Sequence, residues 1–354
     1  MTGLRVGIAG LGIGRKHLTA YNELRDLFSV TALCDPDAAR AAALSGDAPD
    51  AATESDFAAL LARDDVDIVD VCTPHHMHYE QVLQALAAGK HVICEKPVVG
   101  SLAACDTLIA AEVRTGKHVM PVFQYRFGVG LQKLLHLVSR GVTGKHYLST
   151  AETVWKRGPE YYSTAWRGQR SAAMGGCLLT QAIHAHDAIN IAIGDIRRVY
   201  GVIATRVNPV ETEDCAAATL TFADGSLATL AVTLGAARDT SRLLFCFEHL
   251  TAESSLAPYT MTAEPWTFTP RSDAAGKANA AALADFVGQP EGFVGQFSRF
   301  HRALTEGGPL PVTLTDARRS LELLTALYHS AATGEAVDLP LADDHAHYEG
   351  WLDR

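Results

Sequence analysis

Three short segments of this sequence offer groups that could do chemistry. The first is a glycine-rich turn, Gly10-Leu11-Gly12-Ile13-Gly14, which directly follows an apolar run. The second, Glu95-Lys96-Pro97, places an amine beside a carboxylate, and the third, Thr180-Gln181-Ala182-Ile183-His184, ends in an imidazole. A glycine-rich turn can hold a pyrophosphate at a helix N-terminus, while an amine and an imidazole can exchange a proton with a hydroxyl group. In this order, the segments predict hydride transfer between a nicotinamide and a hydroxyl-bearing carbon.

Short apolar runs alternate with helical patterns from residue 4 to about residue 123, as they do in parallel βαβ units. The predicted strands are Leu4–Ala9, Val30–Cys34, Asp67–Cys72, His91–Cys94 and His118–Phe123. The predicted helices between them are Gly14–Arg25, Pro36–Leu44, Ser55–Arg63, His76–Ala88 and Ser101–Thr115. The sequence therefore predicts an N-terminal Rossmann domain, with a doubly wound parallel sheet, over residues 1–123.

The glycine-rich turn and the end of the second predicted strand are the expected dinucleotide contacts. The turn reads G-x-G-x-G, one residue shorter than the usual G-x-G-x-x-G, and its expected contacts are Gly10, Gly12, Ile13 and Gly14. Asp35 ends the second strand, where a carboxylate can accept hydrogen bonds from ribose hydroxyls and repel a 2′-phosphate. Because no Lys or Arg follows Asp35 until Arg40, we expect NAD rather than NADP. Asp35 could instead cap the helix that begins near Pro36.

Thr73-Pro74 ends the third predicted strand, at the edge where such sheets bind their ligands. His75, His76 and His78 follow within a few residues. Three histidines this close could ligate a metal, but their spacing lacks the i, i+4 pair of a helical zinc site. We therefore expect the start of a helix and the edge of the cofactor site here, with Thr73, Pro74 and His78 as cofactor contacts. We expect no metal ion in this protein.

Lys96 is expected to hydrogen-bond the reacting hydroxyl group and to share its proton. Burial near a cofactor lowers the pKa of a lysine amine toward neutrality, whereas the neighbouring Glu95 could hold that amine charged. A neutral amine can then hydrogen-bond the reacting hydroxyl and take its proton. The alternative is a solvated ion pair between Glu95 and Lys96 in a loop.

The remaining residues, 124–354, predict an α/β domain with a large, open, mostly antiparallel sheet. Its predicted strands are Tyr147–Val154, Arg198–Ala204, Ala216–Phe222, Ser226–Thr233 and Leu243–Glu248, with a hairpin at Asp224-Gly225. Its predicted helices are Val129–Arg140, Ala278–Val287, Gln296–Thr305 and Asp316–Ala332. One uncovered face of such a sheet would expose apolar surface, so we expect a second copy to cover it in a homodimer or homotetramer.

Residues 155–176 show little hydrophobic periodicity and concentrate aromatic and guanidinium groups, as functional loops do. Aromatic faces stack on the C–H surfaces of sugars, and arginine donors bind hydroxyl or anionic groups. The expected substrate contacts in this loop are Trp155, Arg157, Tyr161 and Tyr162, and the expected cofactor contacts are Trp166 and Arg167. Alternatively, the loop is a lid that packs its own aromatic side chains.

Thr180 and His184 are four residues apart and would share one face of a helix that begins behind a Gly-Gly pair. Because an imidazole titrates near neutral pH, we expect His184 to act as acid and base, with Lys96 assisting. Thr180 is then a substrate contact or a contact within the helix. Asp187 could orient an imidazole, although His186 is its nearer neighbour in sequence.

Together these segments resemble the Gfo/Idh/MocA family, named for glucose–fructose oxidoreductase, inositol dehydrogenase and a rhizopine-catabolism oxidoreductase. The resemblance covers essentially the whole chain and rests on the glycine-rich turn, Thr73-Pro74 with His78, Gly89–Val92 leading into Glu95-Lys96-Pro97, and Gly175-Gly176 through His184 and Asp187. It implies that Lys96 is catalytic, that Glu95 contacts the nicotinamide ribose, and that the peptide before Pro97 is often cis. Gln124-Tyr125-Arg126-Phe127 resembles the hinge of the family, with Gln124 expected at the cofactor and Arg126 at the substrate. Many members have Asp where this chain has Thr180.

Composition narrows the class of protein. A chain of 354 residues is too long for one ordinary core, which favours two domains. No apolar run reaches the roughly 18 residues of a membrane span, and no signal peptide is evident at the start. Seven cysteines without CxxC spacing are typical of buried thiols in a reducing cytoplasm, and a formal net charge of −10 argues against nucleic acid as a partner.

The leading prediction is an NAD-dependent dehydrogenase of a sugar or cyclic polyol, which passes a hydride to the nicotinamide while Lys96 or His184 accepts the hydroxyl proton. One alternative is cleavage of a glycoside by transient oxidation, elimination and re-reduction, which the aromatic and arginine-rich loop suits equally well. Another alternative is a cofactor-sensing protein without chemistry, against which the presence of both Lys96 and His184 argues.

Overall fold

The computed structural model describes residues 3–351, which form two compact units. The first unit comprises Met1–Val122 and Phe293–Arg318, and the second comprises Phe123–Gly292 and Arg319–Arg354. The outer ends of the two predicted domains, residues 1–2 and 352–354, lie outside the described residues. The single domain boundary at residue 123 stays a prediction, but the segment 293–318 belongs with the first unit although it lies far along the chain.

A six-stranded parallel sheet forms the centre of the first unit, in the order β3-β2-β1-β4-β5-β6 of a doubly wound fold. The strands are β1 (Leu4–Ala9), β2 (Phe28–Cys34), β3 (Ala52–Glu54), β4 (Ile68–Val71), β5 (His91–Cys94) and β6 (Val119–Pro121). The helices are α1 (Gly14–Glu23), α2 (Ala38–Leu44), α3 (Phe57–Leu61), α4 (His78–Ala87) and α5 (Leu102–Thr115). The predicted Rossmann architecture is confirmed, although the short edge strand β3 was not predicted.

The central strands are mostly apolar because helices cover both faces of a parallel sheet. Val6, Ile8, Val69 and Ile93 are fully buried. The register aligns the strand ends, since Ala9 pairs with both Cys34 and Val71, and Val71 pairs with Cys94. The next residue on each of these four strands is therefore at the same edge of the sheet, and these residues are Gly10, Asp35, Cys72 and Glu95.

An eight-stranded sheet dominates the second unit, in the order β13-β12-β11-β7-β10-β9-β8-β14. The strands are β7 (His146–Lys156), β8 (Ile196–Ala204), β9 (Cys215–Phe222), β10 (Leu227–Thr233), β11 (Gly235–Phe247), β12 (Leu250–Glu253), β13 (Thr267–Pro270) and β14 (Val337–Asp338). Every neighbouring pair is antiparallel except β7 and β10, which run parallel. The predicted open, mostly antiparallel sheet is confirmed, and so is the hairpin at Asp224-Gly225, where Gly225 has a φ of +84°.

The remaining helices are α6 (Val129–Ser139), α7 (Pro159–Tyr162), α8 (Arg170–Ala173), α9 (Cys177–Thr180), α10 (Ile183–Ile193), α11 (Asp273–Leu283), α12 (Gly292–Glu306) and α13 (Leu314–Thr333). Short 3-10 turns occupy His75–Met77 and Gln124–Phe127. Helix α11 begins earlier than predicted because the Ser272 side chain caps it by accepting a hydrogen bond from the Ala275 N–H. Strand β11 is much longer than the predicted run Leu243–Glu248, and β12, β13 and β14 were not predicted.

One face of the large sheet is buried and the other is open in the isolated chain. Leu220 and Leu230 are almost fully buried, whereas Val202 is 51% exposed and Leu227 is 50% exposed. The register places Val202 and Leu227 on the same face, because strands β8, β9 and β10 pair without a slip between them in this region. Apolar side chains thus line an uncovered surface. Within residues 3–351, every helix falls short of the length or apolarity that a membrane span requires.

Candidate active site

The glycine-rich turn joins β1 to α1 at the carboxyl edge of the parallel sheet. Gly10 has a φ of +88°, and a Cβ there would lie 2.6 Å from the Cys72 backbone. A Cβ on Gly14 would lie 2.9 Å from Ile8 Cγ2. A Cβ on Gly12, by contrast, meets no atom of the described residues within 4 Å. Gly10 and Gly14 are therefore required by packing, while Gly12 borders open space.

The N-terminus of α1 is suited to an anion. Among the described residues no side chain caps this end of the helix, and its first turn carries no acidic residue. The N–H groups of a first helical turn have no partners within the helix, and the helix dipole favours negative charge there. The open space at Gly12 and this uncapped N-terminus fit a pyrophosphate group.

Asp35 connects the end of β2 to the glycine-rich turn. Its Oδ2 accepts a hydrogen bond from the Leu11 N–H at 2.9 Å, and its Oδ1 accepts one from the Asp37 N–H at 2.9 Å. The side chain that caps α2 belongs to Asp37, which accepts from Ala39, so Asp35 is not the helix cap considered as its alternative role. Arg40 approaches Asp35 at 3.6 Å, from a largely exposed position.

His78 links the loop after β4 to the loop after β5. In its buried ring, Nδ1 lies 2.8 Å from the Pro97 carbonyl oxygen and Nε2 lies 2.8 Å from the Thr73 carbonyl oxygen. Burial lowers the pKa of His78, while the two carbonyl oxygens oppose that shift. The contact of His78 with a cofactor stays a prediction, since the structure uses both ring nitrogens to position the segment that holds Lys96.

Lys96 follows β5 at the same edge, and the Lys96-Pro97 peptide is cis, as the resemblance implies. Glu95 is buried, and its Oε2 accepts a hydrogen bond from the Lys96 backbone N–H at 3.1 Å. Burial lowers the pKa of the Lys96 amine, and the charge of Glu95 opposes this shift. Glu95 is buried and Lys96 is half-buried, so the pair is not a fully solvated loop, and the role of Lys96 stays a prediction.

Beneath Glu95 lies a residue that the sequence analysis did not identify. His17 is fully buried on α1, and its Nε2 lies 3.0 Å from Glu95 Oε1. Its Nδ1 lies 2.9 Å from Oδ2 of Asp70, a buried carboxylate in the middle of β4. An aspartate inside the otherwise apolar strand Ile68–Val71 was the sequence signal for this cluster, because a buried carboxylate requires a partner.

In the second unit, His184 lies on α10 and is nearly fully buried. Its ring stacks on Tyr125 with the centroids 4.3 Å apart and the planes 17° apart. Phe123 packs against the same imidazole edge-on, with the centroids 6.1 Å apart. Two aromatic residues from the segment after β6 thus orient the imidazole that the sequence assigns to acid–base chemistry.

The single helix predicted to carry both Thr180 and His184 is wrong. The chain forms α9, ending at Thr180, and then α10, beginning at Ile183. Ala182 N–H donates to the carbonyl of Cys177, five residues back, at 2.9 Å, which interrupts the regular pattern. Thr180 Oγ1 also donates to the Gly176 carbonyl at 2.8 Å. The two side chains therefore do not share one face of a continuous helix.

The Gly-Gly pair before α9 is explained by a buried carboxylate. Glu213 accepts hydrogen bonds from the N–H groups of Gly176 and Leu178 and from the hydroxyl of Tyr328. A Cβ on Gly176 would overlap the Glu213 carbonyl oxygen. Burial raises the pKa of Glu213, and these donors oppose the shift. Gly176 is therefore conformationally required to start the segment that leads to His184.

The loop after β7 divides into two clusters. Trp155 lies within β7 rather than in the loop. Its indole N–H donates to Ser241 Oγ on the neighbouring β11 at 3.0 Å. Arg157 pairs with Asp239 at 2.9 Å and stacks over Trp155 with its guanidinium carbon 4.8 Å from the ring centroid. Trp155 and Arg157 thus have protein partners, and their contact with substrate stays a prediction.

Tyr161 forms the second cluster, closer along the chain to α9. Its hydroxyl accepts a hydrogen bond from the Gln181 amide at 2.7 Å, and the Arg167 guanidinium lies over its ring, 4.1 Å from the centroid. Tyr162 packs edge-on against Tyr161 with the centroids 5.0 Å apart. Tyr162 and Arg167 also line a cavity of about 830 Å³, together with Gln169, Asn208 and Glu211. The second unit therefore brings Tyr161, Tyr162, Arg167 and the Thr180–Gln181 segment together.

The segment Gln124–Phe127 carries two predicted contacts. Arg126 forms a bidentate ion pair with the buried Asp187, with Nη2–Oδ1 and Nε–Oδ2 distances of 2.6 and 2.7 Å. Its role at the substrate stays a prediction, as does that of Asp187 in orienting an imidazole. The Oε1 atom of Gln124 is buried and has no hydrogen-bond partner among residues 3–351, so a ligand donor would satisfy it. Trp166 lies next to the same cluster as Arg167, whose guanidinium is 5.5 Å from its ring.

Comparison with known families agrees with both halves of this description. Residues 4–123 match the Gfo/Idh/MocA oxidoreductase family with an NAD-binding Rossmann fold. Residues 131–253 match the Gfo/Idh/MocA C-terminal domain, so the two matches together span well over half of the chain. The chain belongs to the Gfo/Idh/MocA family. It is thus an oxidoreductase whose N-terminal part is an NAD-binding Rossmann domain, as the sequence predicted.

Several members of the Gfo/Idh/MocA family resemble this chain over nearly its whole length. D-glucoside 3-dehydrogenase of Escherichia coli is 27% identical over 95% of this chain and 97% of its own. Levoglucosan dehydrogenase of Pseudarthrobacter phenanthrenivorans is 24% identical over 96% of this chain and 99% of its own. The solved structure of the WlbA dehydrogenase from Bordetella pertussis, in complex with NADH and UDP-GlcNAcA, matches with a TM-score of 0.84 and 25% identity, covering 96% of this chain and 100% of that chain.

The contrast between Gly10 and Gly12 yields a prediction. Gly10→Ala forces a strained φ and a backbone clash, so we expect a loss of about 1–3 kcal/mol in the free energy of unfolding. Gly12→Ala enters open space, so we expect unchanged stability but at least about tenfold weaker NADH binding, because the methyl group occupies the space near α1 that fits the pyrophosphate. Thermal unfolding and a fluorescence titration with NADH measure the two effects. Equal NADH affinity in Gly12→Ala and the wild type would contradict the placement of the cofactor.

Proposed function

We propose that the protein is an NAD-dependent dehydrogenase of a sugar or a cyclic polyol. The observation that carries this proposal is the position of Lys96, whose partly buried amine follows β5 at the sheet edge where Gly12 and the uncapped end of α1 fit a dinucleotide. The similar proteins support the substrate class, since they include dehydrogenases of a glucoside, of levoglucosan and of inositol.

When bound, the nicotinamide supplies the acceptor for the hydride of a carbinol carbon. Lys96 takes the proton of the same hydroxyl group, which requires its amine to be neutral. Because burial lowers the pKa of Lys96, a larger share of the amine is neutral near pH 7 than in a solvated lysine. The rate of oxidation then rises with pH through the lowered pKa of Lys96, while the rate of the reverse reduction, which needs the protonated amine, falls through it.

We assign His184 as the second acid and base, with its imidazole oriented by Tyr125. Thr180 stands where many relatives have Asp, and its hydroxyl is a neutral donor to the Gly176 carbonyl. It therefore adds no negative charge to stabilise an imidazolium, and we propose that Thr180 is a substrate contact. Tyr161 and Tyr162 supply aromatic faces for a sugar ring, and we propose that Arg126, Trp155 and Arg157 support this surface through Asp187, Ser241 and Asp239.

We propose NAD rather than NADP as the cofactor. Asp35 is buried at the end of β2, where its carboxylate would repel a 2′-phosphate. Either cofactor is compatible with the uncapped N-terminus of α1, the open space at Gly12 and the unpaired amide oxygen of Gln124. The preference for NAD therefore depends on Asp35. Arg40, which lies 3.6 Å from Asp35, partly offsets its charge.

The direct test is a panel of sugars, glycosides and cyclic polyols incubated with NAD or NADP in parallel. We expect stoichiometric NADH to accumulate with at least one free sugar or polyol, and at least about tenfold lower kcat/KM with NADP. Release of an aglycone without net NADH would instead identify the redox-neutral cleavage of a glycoside. No turnover with any member of the panel, despite NADH binding, would favour a sensor protein.

Lys96→Ala tests the assignment of the proton acceptor in the same assay. We expect kcat to fall by about 10²–10⁴-fold, the usual contribution of a general base, with NADH affinity changed much less. Lys117→Ala is a matched control, because Lys117 is also a lysine of the first unit but lies in the loop between α5 and β6. Near-wild-type turnover by Lys96→Ala would remove Lys96 from the mechanism.

We also propose that two or four copies associate through the open face of the large sheet. The exposed apolar residues of that face, Val202 and Leu227 among them, support an interface between copies. Val202→Glu is expected to shift the molar mass measured by light scattering to that of a single chain. Val113→Glu, at a position that is 79% exposed on α5 in the other unit, is expected to leave the assembly intact. A wild-type protein with the mass of one chain would contradict the proposal.

Finally, we propose that the protein works in the cytoplasm. All seven cysteines are free thiols, and five of them are buried. Such thiols persist in a reducing compartment. Cell fractionation is expected to recover the protein with cytoplasmic enzymes, and recovery with exported proteins would contradict this.

A further inference from the structure

The imidazole of His17 lies between two buried carboxylates inside the first unit. Its Nδ1 is 2.9 Å from Asp70 Oδ2 and 3.1 Å from Asp70 Oδ1, and its Nε2 is 3.0 Å from Glu95 Oε1. His17 and Asp70 are both fully buried, and Glu95 is nearly so. A carboxylate oxygen accepts hydrogen bonds, so each ring nitrogen is placed to donate one.

The Lys96 amine is a further cation that faces the cluster, since the charge of Glu95 acts on it. On its own helix, the Tyr21 hydroxyl donates to Asp70 Oδ2 at 2.9 Å, and on the β4 side the Cys72 thiol lies 3.3 Å from Nδ1. Helix α12 contributes two aromatic rings, Phe293 and Phe297, with centroids 4.5 and 5.2 Å from the imidazole. The titratable groups that face the cluster are therefore Tyr21, Asp70, Cys72, Cys94, Glu95, Lys96 and His78.

The protonation state of the His17 imidazole follows from these distances. A neutral imidazole has one N–H and could satisfy only one of the two carboxylates, whereas an imidazolium satisfies both. Two buried carboxylates without a cation would carry a large desolvation cost. Burial by itself lowers the pKa of His17, but Asp70 and the neighbouring groups outweigh it and raise the pKa of His17 well above its ordinary value. Burial raises the pKa of the Cys72 thiol, which therefore stays neutral.

A metal ion is the other chemistry that His17, Asp70 and Cys72 could support, since their ligand atoms all lie within 4.8 Å of one another. Zinc bond lengths of about 2.0–2.3 Å in a tetrahedron would separate two ligand atoms by roughly 3.3–3.6 Å. The Nδ1–Oδ2 distance of 2.9 Å is a hydrogen-bond distance instead. The remaining ring nitrogen faces Glu95 and not a fourth ligand position. The cluster is therefore a hydrogen-bonded ion triad.

Glu95 is the member of this triad that also contacts Lys96. Glu95 uses Oε1 toward His17 and Oε2 to accept the Lys96 backbone N–H at 3.1 Å. Both oxygens are thus hydrogen-bonded. The negative charge of Glu95 raises the pKa of the Lys96 amine, whereas burial lowers it. Apolar packing by Phe293 and Phe297 lowers the local dielectric, which strengthens each of these electrostatic interactions.

We propose that His17, held by Asp70, is a positioning residue that keeps Glu95 ionised and fixed, and thereby sets the pH at which Lys96 takes the substrate proton. This inference rests on the proposed function of Lys96. His17 itself touches neither substrate nor cofactor in this scheme. It acts through Glu95, so its effect disappears when Glu95 carries no charge.

The direction of the effect can be derived from the hydrogen bonds. In His17→Gln, no cation separates the two carboxylates, and one of them takes up a proton. Both oxygens of Asp70 keep a donor, from the Tyr21 hydroxyl and the Cys72 thiol, whereas Oε1 of Glu95 loses the His17 donor, so we expect Glu95 to become neutral. A neutral Glu95 no longer raises the pKa of Lys96. The pKa of Lys96 therefore falls, and the acidic limb of the oxidation profile moves to lower pH.

The experiment compares the pH profiles of kcat/KM for oxidation in the wild type, His17→Gln, Glu95→Gln and the double variant. Each single variant is expected to move the acidic limb down by about one pH unit, and the double variant is expected to match Glu95→Gln. Phe300→Leu is the matched control, because it removes buried aromatic surface from the same helix, α12, without removing a charge, and its limb is expected to stay in place. A limb that His17→Gln leaves unmoved, or additive shifts in the double variant, would overturn the proposal.

Two NMR measurements test the role of His17 independently of the proposed dehydrogenase activity. In the intact protein with ¹⁵N-labelled histidine, the His17 resonances, assigned by their loss in His17→Gln, are expected to show an imidazolium at a pH where a solvated histidine is neutral. With ¹³C-labelled lysine, the titration of Lys96 is expected to shift to lower pH in His17→Gln. Neither measurement needs a substrate. A neutral His17 or an unshifted Lys96 overturns the inference, whereas both expected results without turnover of any sugar would overturn the function alone.

Discussion

The register of the parallel sheet is the constraint on which the rest of the first unit depends. Because Ala9 pairs with Cys34 and Val71, and Val71 with Cys94, the residues that follow four adjacent strands lie at one edge. A one-residue slip would turn alternate side chains to the opposite face and separate these groups. The glycine-rich turn, Asp35 and the Glu95-Lys96 pair are thus brought together by strand pairing among residues that are up to about 85 positions apart.

Buried charge is the second organising feature, and each buried carboxylate is held by several donors. Glu213 accepts hydrogen bonds from two backbone N–H groups and a tyrosine hydroxyl. Asp187 accepts two hydrogen bonds from the guanidinium of Arg126. Asp70 is hydrogen-bonded to a tyrosine hydroxyl and a histidine ring. An unpaired carboxylate at any of these positions would be strongly destabilising, so the partners are fixed as well. The segments that carry Lys96 and His184 are therefore each anchored by polar networks beneath them and not by apolar packing alone.

The sequence predicted the parts of the structure that depend on local pattern. Short apolar runs predicted β1 and β5 with their observed ends, and Asp224-Gly225 predicted a hairpin. Contacts between distant residues were not predictable in this way, since nothing near Trp155 indicates that Ser241 accepts its indole N–H. The break between α9 and α10 was missed because Thr180 and Gln181 bond to backbone and to Tyr161, which competes with the helix that their spacing favours. His17 was missed because its partners lie 53 and 78 residues away.

In the proposed function, this chain transfers a hydride between a nicotinamide and a carbohydrate carbon while Lys96 exchanges a proton with the reacting hydroxyl group. The most direct measurement uses NADH carrying deuterium at C4 and a panel of keto sugars and cyclic ketones, with mass spectrometry of the products. We expect one deuterium on the new carbinol carbon of at least one product, and loss of that product in Lys96→Ala. Products without deuterium, or labelled product formed equally well by Lys96→Ala, would contradict it.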